Sequence, residues 1–155
     1  MERKTKLDAE PGRQDIMITR EFDLPVDLLF RAYEEPELVE QWMGTKVLKL
    51  ENKPHGGWQF ETSDGNGNVV FRAHGVIHEF SRGRKITRTF QMQDTPFEAQ
   101  LEFLEFESIS EERSMLRMHI VYRTPEARDT MLKLPFAQGI NMAHNKLQEV
   151  IGILI

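Results

Sequence analysis

Arg88 is the residue whose surroundings most call for chemistry. It lies between Ile86 and Phe90 in a segment, 85–93, whose alternation reads as a strand, so the guanidinium shares a face with apolar side chains. A charge desolvated without a partner is costly. A carboxylate or phosphate on a bound molecule would supply a bidentate partner. An arginine at the sheet rim, snorkelling to water or paired with a Glu, would need no ligand. The five histidines are His55, His74, His78, His119 and His144. His74 and His78 are four apart on a strand, which separates them by about 13 Å. No two stand four apart on a helix, so no bound metal is expected. His74 or His144 can serve as a hydrogen-bonding group in a pocket. The chain has no cysteine, which excludes disulfides, thiolate metal sites and a thiol nucleophile. It carries no G-x-S-x-G, no H-E-x-x-H and no dinucleotide fingerprint. No cofactor is expected. A general acid–base site needs only convergence in space, so catalysis is not excluded.

These residues must be positioned by the elements around them, and the last thirty residues organise the rest. Thr124 reads as an N-cap, with Pro125 at the first helical position and Glu126 in the first turn. Pro135 breaks that short helix and a longer one starts afresh. Phe136, Ile140, Ala143, Leu147, Val150, Ile151 and Leu154 recur near a 3.6 period and form its apolar stripe. Gly139 sits inside this helix, where glycine costs about 1 kcal/mol against alanine. Nothing local explains it, so close approach of a strand or ligand is expected there.

The remaining chain is mostly strands. Ile16, Ile18, Arg20 and Phe22 share one face of the first, 15–23. Two short helices follow, beginning at Pro25 and Pro36, the second ending at Gly44. The facing of 46–53 is ambiguous. Trp58 and Phe60 alternate with Gln59 and Glu61, and Asp64-Gly65-Asn66-Gly67 reads as a hairpin turn. A phosphate loop would need a lysine and a following helix there. Gly75 interrupts a long strand, which marks a bulge, a bend or a close approach. In 97–107, Leu101 and Phe103 oppose Leu104 and Phe106. Either a bulge shifts the phase or one pair reaches the outer face, partly exposed and available to a homodimer contact. Leu116, Met118, Ile120 and Tyr122 are in register in the last strand. Consecutive hairpins imply an antiparallel sheet, and segregated helices imply an α+β domain.

At 155 residues and net charge −5, a single domain without nucleic-acid affinity is expected. No apolar run approaches a membrane span, and the first residues carry charges rather than a secretory core. A cytoplasmic protein with no membrane partner is the expectation. Residues 1–14 read as a mobile tail and 15–155 as the domain.

Several separated blocks resemble the activator-of-Hsp90-ATPase-homologue group of the START-like, helix-grip superfamily. They are REFDLPVDLLFRAYEEPELVEQWMG (20–44), GGWQF (56–60), FRAHGVIHEFSRGRKITRTF (71–90) and EARDTML…QGINMAHNKLQEV (126–150). Where that family often has two tryptophans after the second helix, this chain has Trp42 and Met43. The resemblance implies a helix-grip fold: a curved antiparallel sheet of six or seven strands wrapped around a long C-terminal helix, with an apolar cavity between them. The cavity candidates are Trp42, Trp58, Phe60, Arg88, Phe90, Met118, Phe136, Gly139 and Ile140. An ordinary filled core is the alternative reading of the same residues. The expected function is non-enzymatic binding of a small, mostly apolar ligand, with Arg88 available to an anionic group. The alternatives are co-chaperone-like stimulation of an Hsp90-type ATPase, with the chaperone as partner, and a cyclase- or hydrolase-like enzyme using pocket residues. A chain of this length leaves no room for an additional chaperone-binding domain.

Overall fold

Alternation of apolar and polar residues gives each strand one face that can be buried. A computed structural model describes residues 4–155. The first three residues of the expected tail lie outside the described residues. Eight antiparallel strands run in the order β1-β2-β8-β7-β6-β5-β4-β3. They are β1 (Lys6–Asp8), β2 (Asp15–Phe22), β3 (Lys46–Leu50), β4 (Gly57–Ser63), β5 (Val69–Ser81), β6 (Lys85–Met92), β7 (Gln100–Ser110) and β8 (Arg113–Val121). The helices are α1 (Val26–Glu34), α2 (Pro36–Met43), α3 (Pro125–Leu132) and α4 (Phe136–Gly152). The expected α+β helix-grip fold holds, with eight strands rather than six or seven. The eighth comes from the segment read as a tail: Lys6–Asp8 pairs with Met17–Thr19 on β2.

Local chemistry places the breaks. Gly44 adopts φ 65° and ends α2. Asp64 Oδ1 accepts from the amides of Asn66 and Asn68 in the β4–β5 hairpin, where Gly67 has φ 83°. Thr124 Oγ1 accepts from Ala127 N–H at 3.0 Å and caps α3. β3 is ambiguous in sequence because it is an edge strand with a register shift between Val47 and Lys49. β7 has no bulge between Leu101 and Phe106, so Leu104 and Phe106 are buried inward while Leu101 and Phe103 stand half-buried on the outer face.

The inward faces of β2, β7 and β8 meet α1 and α4 in the main core, which includes Ile18, Phe30, Leu104, Leu116 and Leu147. A smaller apolar cluster of Trp58, Phe60, Ala73 and Ile77 on β4 and β5 packs with Val39 of α2. α4 departs from the expected stripe. Its fully buried line is Asn141, His144, Leu147 and Ile151, with Phe136, Ile140, Ala143 and Val150 half-buried beside it. Two polar residues can occupy that line because the N-terminal segment gives them partners: Thr5 N–H donates to Asn141 Oδ1 at 3.1 Å, and Thr5 Oγ1 lies 2.9 Å from His144 Nδ1. Leu154 lies past the helix end and is half-exposed.

Candidate functional site

Hairpin geometry decides what Arg88 does. The β6–β7 register sets Arg88 against Glu102, Ile86 against Leu104 and Phe90 against Gln100, all on the inward face. Arg88 Nε donates to Glu102 Oε1 at 3.0 Å, and Gln100 Nε2 donates to Glu102 Oε2 at 2.9 Å. Arg88 is 9% exposed and Glu102 4%, so this is a buried pair that meets its desolvation through mutual attraction and a further hydrogen bond. The guanidinium also lies over the Trp58 ring, 4.9 Å from its centre. Of the two readings of Arg88, pairing with a Glu is the one the structure has, in the interior rather than at a solvated rim. Glu102 could have been found in the sequence. It alternates in phase with Leu104 and Phe106, and a hairpin turning at Asp94-Thr95-Pro96 brings it opposite Arg88.

Trp58, Phe60 and Phe90 do come together. Trp58 sits 4.9 Å from Phe60 and 5.6 Å from Phe90, centre to centre. The Trp58 indole N–H reaches across β5 to the Thr89 carbonyl at 3.0 Å. Gly75 permits this: a Cβ there would stand 1.9 Å from Thr89 O and 2.5 Å from Trp58 Nε1. Of the bulge, bend or close approach that a glycine marks in a strand, close approach is the one found at Gly75. These aromatics fill one another's space as core.

The other candidates lie elsewhere. Trp42 donates its indole N–H to Ala32 O at 2.7 Å, lies tilted against the Tyr33 ring and belongs to the main core with Met118. Phe136 and Ile140 are half-buried at the start of α4 against that same core. Gly139 is exposed, and an added Cβ would meet nothing within 4 Å. The close approach expected there is absent, because the helix turns this position outward.

An open cavity of about 240 Å³ lies between the β6–β7 connection, the end of β8 and α3. None of the nine candidates lines it. Phe97, Ala99, Ala127 and Met131 supply apolar wall, and Glu98, Gln100, Arg123, Glu126 and Thr130 supply polar and charged wall. Gln100 and Tyr122 flank the last β7–β8 pair, Leu101 against Val121. Tyr122 is buried, and its hydroxyl has no hydrogen-bond partner among the described residues. Burial pushes this phenol above its ordinary pKa, the Glu102 carboxylate adds to the rise and Arg128 opposes it. Sequence periodicity puts Tyr122 in register with Leu116, Met118 and Ile120, but the cavity depends on where α3 sits, which periodicity does not report.

A second polar cluster lies at the other end of the sheet. Arg20, 3% exposed, donates from Nη1 to Thr5 Oγ1 at 3.1 Å and from Nε to Glu21 O at 3.2 Å. Arginine offers only donors, so Thr5 Oγ1 accepts from it and gives its own proton to His144 Nδ1. His144 thus carries hydrogen on Nε2, which is buried without a partner among the described residues. Burial first, then the Arg20 charge, lowers its pKa from 6.5 to about 3.

Among solved structures, the fold is similar to that of protein Ms6760 from Mycobacterium smegmatis (16% identity, 94% of this chain and 95% of that one, TM-score 0.82). It is also similar to a Rhodobacter sphaeroides protein (18%, 96% and 99%, 0.85) and an Arthrobacter aurescens protein (15%, 95% and 91%, 0.84). At such identities the likeness shows the fold alone. No curated protein matches the sequence. The family model described as "Activator of Hsp90 ATPase homolog 1-like protein" matches residues 23–152.

Proposed function

We propose that this chain, which belongs to the Activator of Hsp90 ATPase homolog 1-like family, binds a small, mostly apolar molecule without performing chemistry on it. The observation that carries this reading is the cavity of about 240 Å³ beside α3, walled in part by Phe97, Ala99, Ala127 and Met131. Pockets for small molecules combine apolar walls with a few placed polar groups. The volume suits a compact ligand or the end of a longer one. None of the residues expected from the sequence to wall a cavity lines this one. Trp58, Phe60 and Phe90 pack against each other, and the opening lies beside α3 at the ends of β7 and β8 rather than between α4 and the sheet.

The filled core beneath α4 favours a second reading, in which the surface engages an Hsp90-type ATPase, as the family's description suggests. Native mass spectrometry of freshly purified, detergent-free protein separates the two. The binding reading expects a small molecule that leaves on organic denaturation, or methyl shifts at Ala127 and Met131 when 1-octanol is titrated. An apo mass with no such shifts, together with stimulation of an Hsp90-type ATPase, would overturn it in favour of the second.

A further inference from the structure

We propose a second binding site, for a dianionic phosphate group, in the open cleft between β1, β2 and the start of β8, with Arg20 as its anchor. Three arginines are buried in this protein, Arg20, Arg88 and Arg128. Arg88 holds the Glu102 carboxylate and Arg128 that of Asp129. Arg20 has no ion pair among the described residues. Its Nη1 donates to Thr5 Oγ1 at 3.1 Å and its Nε to Glu21 O at 3.2 Å, and both acceptors are neutral. The Phe22 ring, 5.2 Å from the guanidinium carbon, adds only its quadrupole. Nη2 bonds nothing among the described residues, yet it is not sealed from solvent. Burial holds the Arg20 pKa below its ordinary value, with the Asp23 charge opposing. A desolvated cation without a counter-ion is costly, and an anion that reaches Nη2 removes that cost.

The two hydrogen bonds of Arg20 fix where its guanidinium sits. Glu21 lines a cleft of about 520 Å³, as does Arg20 itself, and Thr5 stands between Lys4 and Lys6, which line it too. The charged lining is Lys4, Lys6, Arg20 and Arg113 against Glu21 and Asp23. Arg113 takes both carboxylates, Glu21 through Nη2 and Asp23 through Nε. The ion-paired lysines are Lys49 and Lys85. Lys4 and Lys6 are exposed and pair with no carboxylate among the described residues. In a chain of net charge −5 the cleft is thus a local reversal of sign. Uncompensated cations from Lys4, Lys6 and Arg20 on one lining suit a group that carries two charges on three oxygens better than a carboxylate with one. An anion held there also ties β1 to β2, because its cations come from both.

The test titrates the isotope-labelled full chain with inorganic phosphate, glycerol 3-phosphate and acetate in a chloride buffer at about pH 8, where phosphate and its monoesters are dianions. Saturable shifts should appear at the amides of Thr5, Lys6 and Glu21 and at the Arg20 Nε–H, with acetate the weakest binder. Arg20→Gln should weaken glycerol 3-phosphate by at least about tenfold, the worth of a hydrogen bond to a charged group. The variant carrying Lys4→Ala and Lys6→Ala changes only exposed side chains, so it should keep the fold, and it should weaken the same ligand by roughly three- to tenfold. Tighter binding of glycerol 3-phosphate than of inorganic phosphate assigns the site to a phosphorylated small molecule, and the reverse order to the free ion; either supports the proposal. Acetate binding as tightly as phosphate, unchanged affinity in the double lysine variant, or shifts that never saturate would each overturn it. The reading of the cavity beside α3 stands in every case, because the two linings share no residue.

Discussion

Arg88, Glu102 and Gln100 form a unit in which each side chain fixes the next. Glu102 accepts from both neighbours and is nearly sealed from water. Removing one member of a buried pair strands the other, and that loss exceeds what the pair is worth against a well-packed apolar replacement. Arg88→Met should therefore destabilise by about 3–5 kcal/mol in urea denaturation at neutral pH. Replacing both, Arg88→Met with Glu102→Leu, should recover most of that loss. A cost below about 1 kcal/mol for the single variant would mean that water already reaches Glu102. The Trp58 ring beneath Arg88 adds a second contact that the double replacement keeps only as packing.

At the scale of elements, β1 is a strap that closes one end of the molecule. It pairs with β2, its neighbour Thr5 serves Arg20, Asn141 and His144, and Glu10 O accepts from Arg128 Nη1 of α3 at 2.7 Å. Those contacts let α4 bury polar residues in its middle. They also set a pH dependence. His144 is neutral when folded, with a pKa lowered from 6.5 to about 3, and the facing groups are Arg20, Thr5, Asn141 and the edge of Phe22. Between those values the unfolded chain binds the extra proton, so stability falls as pH drops. The full contribution is present above about pH 6.5, where both states are neutral, and the loss levels off below about 3. The slope approaches 1.4 kcal/mol per pH unit, roughly. Urea midpoints measured from pH 7 to 4 should fall more steeply for the natural chain than for His144→Leu. Parallel curves would show that the strap releases before the histidine charges.

Across the whole molecule the sheet is not uniform. The β2–β8 ladder runs without a register shift, and the β7–β8 ladder shifts only beyond Ser108. The β5–β6 ladder shifts between Ile77 and Glu79, and beside Gly75 the Val76 amide bonds the Thr89 hydroxyl at 2.9 Å. Trp58 takes the Thr89 carbonyl at the same place. Hydrogen exchange should therefore be slowest at Ile18, Leu104, Met118 and Ile120, which open only with global unfolding, while Val76 exchanges through local opening. Equal protection at Val76 and Met118 would show one cooperative unit. Among the described residues no helix is long and apolar enough to cross a membrane.

Period-two alternation, proline and glycine punctuation and a 3.6-residue stripe were enough to read the α+β order, the α3 cap and the Asp64 hairpin, to mark Gly75 as a special position, and to see that either a bulge shifts the phase of 97–107 or one apolar pair turns outward. These are local: each depends on neighbours a few residues away. Even the Arg88–Glu102 pair was latent in the hairpin spacing. Other features depend on residues distant in sequence. β1 carries too little apolar surface to announce itself and forms only because β2 offers an edge. The buried line of α4 passes through Asn141 and His144 because Thr5, more than 130 residues away, satisfies them. Gly139 faces outward for the same reason, since the helix is rotated by the partners it finds. The cavity, finally, exists where α3 stands off the ends of β7 and β8. Its place is set by how whole elements dock, and no periodicity within a single element encodes that gap.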